Sequence, residues 1–400
     1  MALKLPIYLD HHATTPVDPR VVDAMTPYFS EDFGNASSTS HVFGWRAEEA
    51  VAVARERLAA AIGAVEPSEI VFTSGTTESD NLALIGLARG QRGRRNHLIT
   101  TAIEHPAVLD SCRALAAEGF SVTVLPVDRQ GVVDPRGIAD AITDQTLVVS
   151  VMAANGEIGT LQPLEEIGRI CREREVLLHT DAAQAVGKIP VNVQTWGIDL
   201  LSMCAHKLYG PKGIGALYVR KRRPRIALQP LQRGGGHEGG LRSGTLPVQL
   251  IVGFARAVEL CLEGGETEAA RLASLRDELW RRLSESLDGV ERNGHATQRL
   301  PGNLNVSFSG IEADQLLVGL ADVALSTGSA CSTASAEPSP VLKALGHSDE
   351  VARASLRFGI GRANTSEEIA WVAKRLIELV GSLRQARSSG PPRAGQPGPP

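Results

Sequence analysis

Lys207 stands in the run Ser202-Met203-Cys204-Ala205-His206-Lys207-Leu208-Tyr209-Gly210-Pro211-Lys212-Gly213, just past an apolar stretch and before a Gly-Pro-Lys-Gly turn. A surface lysine needs no such setting. A partly buried one holds its proton less tightly and becomes a nucleophile able to form a Schiff base. Lys212 is the competitor, but its place in the turn points it to solvent. Two clusters precede this one. Ile70-Val71-Phe72-Thr73-Ser74-Gly75-Thr76-Thr77-Glu78-Ser79 reads as a strand, a turn of small residues and a helix start. Free backbone N–H groups and the helix dipole favour an anion there, and Thr76 and Thr77 add hydroxyl donors, so a phosphate fits. His179-Thr180-Asp181-Ala182-Ala183-Gln184 follows the apolar pair Leu177-Leu178. A carboxylate at the C-terminal end of a parallel strand faces the usual ligand crevice, and it can hold a proton on a pyridine nitrogen. Taken singly, each of these two clusters also reads as a helix cap.

The elements that must position these residues are legible as alternation. Strands are expected at Ile70–Thr73, His97–Thr101, Ser121–Leu125, 146–151, 176–180, 199–203 and 216–219, with helices at 78–89, 106–118, 135–142 and 163–173 between them. Several of the helices open with Pro, which suits a first turn. Strands alternating with helices predict an α/β fold with a largely parallel sheet. A charged stretch, 263–287, reads as a helix leading to a second region that closes with a helix near 367–383. The expected organisation is a large mostly parallel-sheet domain over 15–262, a smaller α+β domain formed by 1–14 and 263–383, and a disordered Pro/Gly-rich tail over 384–400.

With 400 residues the chain is long enough for two cores, and its net charge of −4 gives no electrostatic case for nucleic acid or an anionic membrane as partner. No apolar run reaches the length of a membrane span, and the N-terminus lacks the pattern of a signal peptide, so the cytoplasm is the expected location. The five cysteines are odd in number, widely spread and without a CxxC pair, which argues against a disulfide framework or a structural zinc site. Cys112, Cys171 and Cys261 fall on apolar helix faces and read as small buried hydrophobes. Cys331 is different: every other residue from 326 to 336 is Ser, Thr, Gly or Ala. Such a stretch has little apolar surface to anchor it, so a mobile loop carrying a reactive thiol is expected.

The order of phosphate turn, Asp after a strand, then Lys after a later strand is that of the fold-type I pyridoxal-phosphate (PLP) enzymes. From Tyr8-Leu9-Asp10-His11-His12-Ala13-Thr14-Thr15-Pro16 to about residue 383 the chain resembles the cysteine desulfurases of the iron–sulfur-cluster and nitrogen-fixation type, within the class V PLP-dependent aminotransferase family. The resemblance is carried by Phe33-Gly34-Asn35-Ala36-Ser37, Thr101-Ala102-Ile103-Glu104-His105, Arg242-Ser243-Gly244-Thr245-Leu246-Pro247 and Ser326-Thr327-Gly328-Ser329-Ala330-Cys331. It implies PLP as cofactor, L-cysteine as substrate, alanine and a Cys331 persulfide as products, and a sulfur-acceptor protein such as a cluster scaffold or thiolation enzyme as partner. It further implies a homodimer.

The same resemblance implies a role for each matching position. Lys207 holds the cofactor and moves the substrate's Cα proton, with His105 stacked on the ring and assisting. Asp181 pairs with the pyridine nitrogen and Gln184 with the phenolic oxygen. Thr76, Thr77, Cys204 and His206 belong to the phosphate site, joined by Thr245 from the other subunit. Arg357 clamps the substrate carboxylate, with Asn155 and Asn35 nearby. Cys331 attacks the substrate sulfur. No resident metal is implied, beyond Cys331 as a transient iron–sulfur ligand. A selenocysteine lyase or another class V PLP enzyme is the alternative, although an aminotransferase would have no use for Cys331.

Two positions depart from the family pattern. Gly156 stands in Asn155-Gly156-Glu157 where a second Asn normally helps to hold the carboxylate, and Cys204 stands where a Ser normally donates to the phosphate. The first predicts weaker substrate binding unless Asn155 compensates. The second predicts weaker cofactor binding, because a thiol is a poor donor. The basic run Arg220-Lys221-Arg222-Arg223-Pro224-Arg225 reads as a solvated edge, and the tail does not resemble the family's scaffold-docking segment.

Overall fold

The computed structural model describes residues 3–91, 93, 95–328 and 337–388. A short strand, β1 (Ile7–Tyr8), opens the chain, and seven strands then build the main sheet: β2 (Ile70–Thr73), β3 (His97–Thr101), β4 (Ser121–Leu125), β5 (Thr146–Ser150), β6 (Leu177–Asp181), β7 (Leu200–Cys204) and β8 (Gly215–Val219). Their order is β2-β8-β7-β6-β5-β3-β4. The run from β4 to β7 is parallel, and β8 lies antiparallel to both β2 and β7. Helices pack against the sheet, and the inner strands are buried along nearly their whole length. Every residue of β3, β5 and β7 is buried, whereas the edge strand β4 leaves Val124 half exposed.

The chain continues with β9 (Val290–Asn293), β10 (Asn303–Phe308), β11 (Val323–Ala324) and β12 (Ser355–Gly359). Strands β9 and β12 flank β10 antiparallel in a second sheet. The first strand does not join the main sheet. It pairs parallel with β11, and Ile7 and Leu9 pack into the second core with Leu304, Val306, Phe358 and Leu376. Residues 10–15 then cross to the main sheet. Asp10 bridges to Gly359 at one end, and at the other Thr15 donates from both its N–H and its hydroxyl to the carbonyl of His206, each at 2.9 Å.

The helix expected to begin at 263 begins much earlier. It runs Val248–Ser286 and is broken at Gly265, whose backbone sits at φ 39° and ψ −132°. That conformation is open to glycine and strained for other residues, so the sequence permits a kink where the helix passes from the first core, ending with Cys261, to the second, beginning with Leu275. The helix expected at 78–89 is regular over Thr76–Asn81, widens into a π-type turn over Leu82–Gly86 and closes as Leu87–Gly90. Among the described residues no helix is long and apolar enough to cross a membrane.

Candidate active site

The ends of β2, β6 and β7 and the crossing segment 10–15 meet at one place. Lys207 follows β7, and its Nζ donates to the carbonyls of His12 at 2.6 Å and Ala13 at 2.8 Å. The strap from the first strand thus fixes the amine's position. Next to it, the carbonyl of His12 also accepts Nε2 of Gln184 at 3.0 Å, and Oε1 of Gln184 accepts Nδ1 of His12 at 3.0 Å and Nζ of Lys188 at 2.6 Å. Two partly buried lysines therefore share one network. Burial and the neighbouring Lys207 push Lys188 down to about 7. Burial and Lys207 likewise push His206 down to about 4, so its ring is neutral, with Nδ1 3.2 Å from the Thr14 hydroxyl.

Asp181 ends β6 and is buried. One oxygen accepts the N–H of Ala183 at 2.9 Å. Burial raises its carboxyl, and the nearby His105 and Lys207 pull it back toward the ionised form. His105 caps the helix Pro106–Ala117, with Nδ1 accepting the N–H of Ala107 at 3.1 Å. A nitrogen of His105, an oxygen of Asp181 and an oxygen of Asp80 lie within 4.8 Å of one another. The turn at the end of β2 comes close to β8. A Cβ on Gly215 would stand 2.6 Å from Cα of Gly75, so only glycine at 215 lets the turn sit there. The Thr76 hydroxyl is buried in that turn and faces the buried Cys204 thiol, which burial pushes up and the hydroxyl lowers. Thr77, one residue on, is exposed.

Arg357 lies on β12, only 3% exposed, and reaches toward the same place. Its Nη2 pairs with Asp10 at 2.8 Å and its Nη1 donates to the carbonyl of Gly156 at 3.3 Å, while its Nε is buried with no hydrogen-bond partner. A guanidinium with a buried donor left over can take a carboxylate. Asn155 is turned into its own loop. Its Nδ2 donates to the carbonyl of Ile103 at 2.9 Å and its Oδ1 accepts the N–H groups of Glu157 and Ile158 at 2.9 and 3.0 Å. Its amide is thus committed to backbone and does not stand in for the missing side chain at 156. Asn35 is exposed and closes a turn by accepting the N–H of Ser37 at 2.9 Å. Thr245 is exposed, in a groove with Gln232, Arg233, His237 and Ser243. Cys331 lies outside the described residues. Next to the last described residue before it, Gly328, lies the buried Glu157, which accepts the Ser339 hydroxyl and is pushed up by burial to about 7.

Sequence reasoning missed Asp80, Glu104, His179 and Lys188. Glu104 and His179 lie within stretches that were read and Asp80 and Lys188 just beyond them; burial marks out the first two and Asp80, and a lowered proton affinity marks out Lys188. His179 bonds Ser150 Oγ through Nδ1 at 2.8 Å and Ser202 Oγ through Nε2 at 3.1 Å, and burial pushes it down to about 3.

Residues 7–372 match the family described as aminotransferase class-V. The chain is 53% identical to cysteine desulfurase IscS of Anaeromyxobacter sp. (strain Fw109-5), over 96% of this chain and 94% of that one. It is 51% identical to the cysteine desulfurase of Homo sapiens, over 95% of this chain and 83% of that one. This chain belongs to the class V aminotransferase family, in its cysteine desulfurase branch. Among solved structures, a NifS-like protein superposes with a TM-score of 0.87 at 37% identity, covering 94% of this chain and 99% of its own. SspA in complex with cysteine gives 0.79 at 39% identity, covering 88% and 98%. The α/β fold and the membership expected from the sequence both hold, and the class V desulfurase family is PLP-dependent.

Proposed function

We infer that the chain removes sulfur from L-cysteine with pyridoxal phosphate, Lys207 holding the cofactor and Cys331 taking the sulfur. The observation that carries this reading is the convergence of Lys207, Asp181 and the Thr76 turn on one site that also receives Arg357. These residues suit the cofactor chemically. The turn offers a buried hydroxyl and the free N–H groups of a helix start to a phosphate, and the buried Asp181, with one backbone donor, has room for a protonated ring nitrogen. When bound, the cofactor supplies an electron sink that makes the substrate's Cα proton acidic. The chain's own residues do the rest. Asp181 holds the proton on the ring nitrogen, and Lys207 takes the Cα proton at Nζ and returns it. Arg357 binds the substrate carboxylate through the face that Asp10 leaves free. The Cys331 thiolate attacks the substrate sulfur and the C–S bond breaks with its electron pair left on Cβ; Cβ takes up a proton, and alanine leaves behind a Cys331 persulfide.

The residues 15–262 form the cofactor-binding domain, and 1–14 with 263–383 form the smaller domain that carries the Cys331 segment; the separate second core supports this division. A homodimer brings Thr245 of one copy to the phosphate of the other, which is supported by its exposed position. The persulfide is passed to an acceptor in iron–sulfur assembly or thiolation, in the cytoplasm.

Purified protein supplied with pyridoxal phosphate should be yellow and release sulfide and alanine from cysteine plus reductant. Lys207→Ala should lose the colour and Cys331→Ser should keep it while losing sulfide. A Lys207→Ala protein with unchanged colour and turnover would sink the assignment.

A further inference from the structure

Behind Asp181 the fold buries two more carboxyl groups. Asp80 lies on the helix Thr76–Asn81 with a side chain 0% exposed, and Glu104 lies in the turn after β3. The nearest oxygens of Asp80 and Asp181 fall within 4.8 Å of each other. Two carboxylates at that separation, both out of water, repel one another and have lost hydration, so the pair retains a proton.

The surroundings decide which of the two retains it. Asp181 accepts a backbone N–H from Ala183 and is drawn toward the ionised form by His105 and Lys207. Among the described residues neither Asp80 oxygen accepts a backbone N–H, though the nearby Ser202 hydroxyl draws the carboxyl part of the way toward ionisation. Its approaches from β6 and β7 are His179 and Ser202. The His179 Nε2 stands 3.5 Å from Oδ1, and neither Asp80 oxygen has a hydrogen bond of ordinary geometry to the ring. His179 is itself neutral and already bonded to Ser150 and Ser202. From the turn after β3 comes Glu104, another acid, held by the Thr101 hydroxyl and the N–H of Met152. His105 lies within 4.8 Å of both carboxyls and so does not by itself choose between them; Lys207 and the Ala183 N–H favour Asp181 as the ionised one.

We propose that Asp80 is a positioning residue that stays a neutral acid and so leaves the negative charge of the cluster on Asp181. Burial and the Asp181 charge both raise the Asp80 carboxyl, and burial pushes Glu104 up to about 8, in keeping with a single charge for the three acids near neutrality. The inference deepens the reading of Asp181 as partner of the ring nitrogen and rests on it. An ionised Asp80 would compete with Asp181 for any cation brought to the site.

Infrared spectra of the full chain stripped of cofactor, labelled with 13C in the aspartate side-chain carboxyl, test this directly. At pH 7 a protonated carboxyl stretch should carry the isotope shift, which excludes Glu104. The shifted band should vanish in Asp80→Asn and persist in Asp181→Asn, where it should titrate lower by at least about one pH unit because the neighbouring charge is gone. Asp80→Asn mimics the neutral acid and should keep the parent's melting temperature and cofactor retention within about twofold. No shifted band in the parent at pH 7 overturns the proposal, whichever variants fold, and so does a band lost only in Asp181→Asn. The spectra need neither cofactor nor turnover. An active enzyme without the band sinks this inference alone, and a band in a protein that releases no sulfide sinks the functional reading alone.

Discussion

Gly156 stands where the family resemblance leads one to expect an Asn, and the structure gives the glycine a local reason. A Cβ at 156 would stand 2.8 Å from Nε2 of Gln184, whose amide is tied to His12 and Lys188. Glycine here lets Gln184 lie across the position an Asn would fill. Gly156→Asn should therefore lower stability by about 1–3 kcal/mol, as overpacking does, before any gain in substrate affinity. Denaturant midpoints report the first effect and the apparent affinity for cysteine the second; an unchanged midpoint would mean that Gln184 yields freely. The buried acids give a pH signature at the same scale. Glu104 is held at about 8 by burial against an ordinary 4.5. Between those values the folded protein keeps a proton that the unfolded chain has released, so stability falls as pH rises through that window. Glu157, pushed up to about 7, adds to the fall over the lower part of it. Glu104→Gln, a neutral isostere, should shrink the loss of unfolding free energy between pH 5 and pH 8 by roughly 2 kcal/mol. A variant with the parent's slope would show that Glu104 ionises freely in the fold.

At the scale of elements, the phosphate turn depends on a strand that never touches the ligand. Gly215 begins β8, and a Cβ there would meet both Cα of Gly75 and the carbonyl of Met203 at 2.6 Å. Backbone cannot yield as a side-chain tip can. Gly215→Ala should displace the turn, and cofactor retention after gel filtration should drop at least about tenfold, the equivalent of about 1.4 kcal/mol. Retention equal to the parent's would show that the turn has slack. The sequence marked β2, the turn and the helix start, because each has a local signature in β-branching, small residues and capping. It did not mark this packing, since nothing in Gly215 itself reveals which backbone lies over it. The long helix is a similar case. Charge marked its second half from 263, but its first half, Val248 to Cys261, is apolar and buried, and lacks the amphipathic contrast that reveals a helix.

At the scale of the molecule, one end of the chain remains apolar and uncovered. Phe29 and Phe33 are more than 60% exposed and Trp45 is 54% exposed, and Phe33 stacks on Phe43 with ring centroids 5.4 Å apart. Exposed aromatics grouped in one short stretch mark a contact surface. If a second copy covers it, Phe29→Glu with Phe33→Glu should halve the mass seen by sedimentation. Because Thr245 is read as crossing between copies, the monomer should also bleach on dilution. A mutant of parental mass would place the interface elsewhere.

The sequence by itself determined the alternating α/β architecture, the family, and which lysine and aspartate stand at strand ends. Those properties rest on local propensity and on the order of motifs along the chain. Lys207 was legible in this way, and the structure then set its surroundings: the His12 and Ala13 carbonyls that seize its amine come from a strap 195 and 194 residues away. Only the tertiary structure could show that Asn155 is committed to its own loop, that Gly156 makes room for Gln184, and that Asp80, Glu104 and Asp181 are buried near one another. The reason is physical. Charge and proton affinity depend on what surrounds a group in space, and those neighbours arrive from distant parts of the chain.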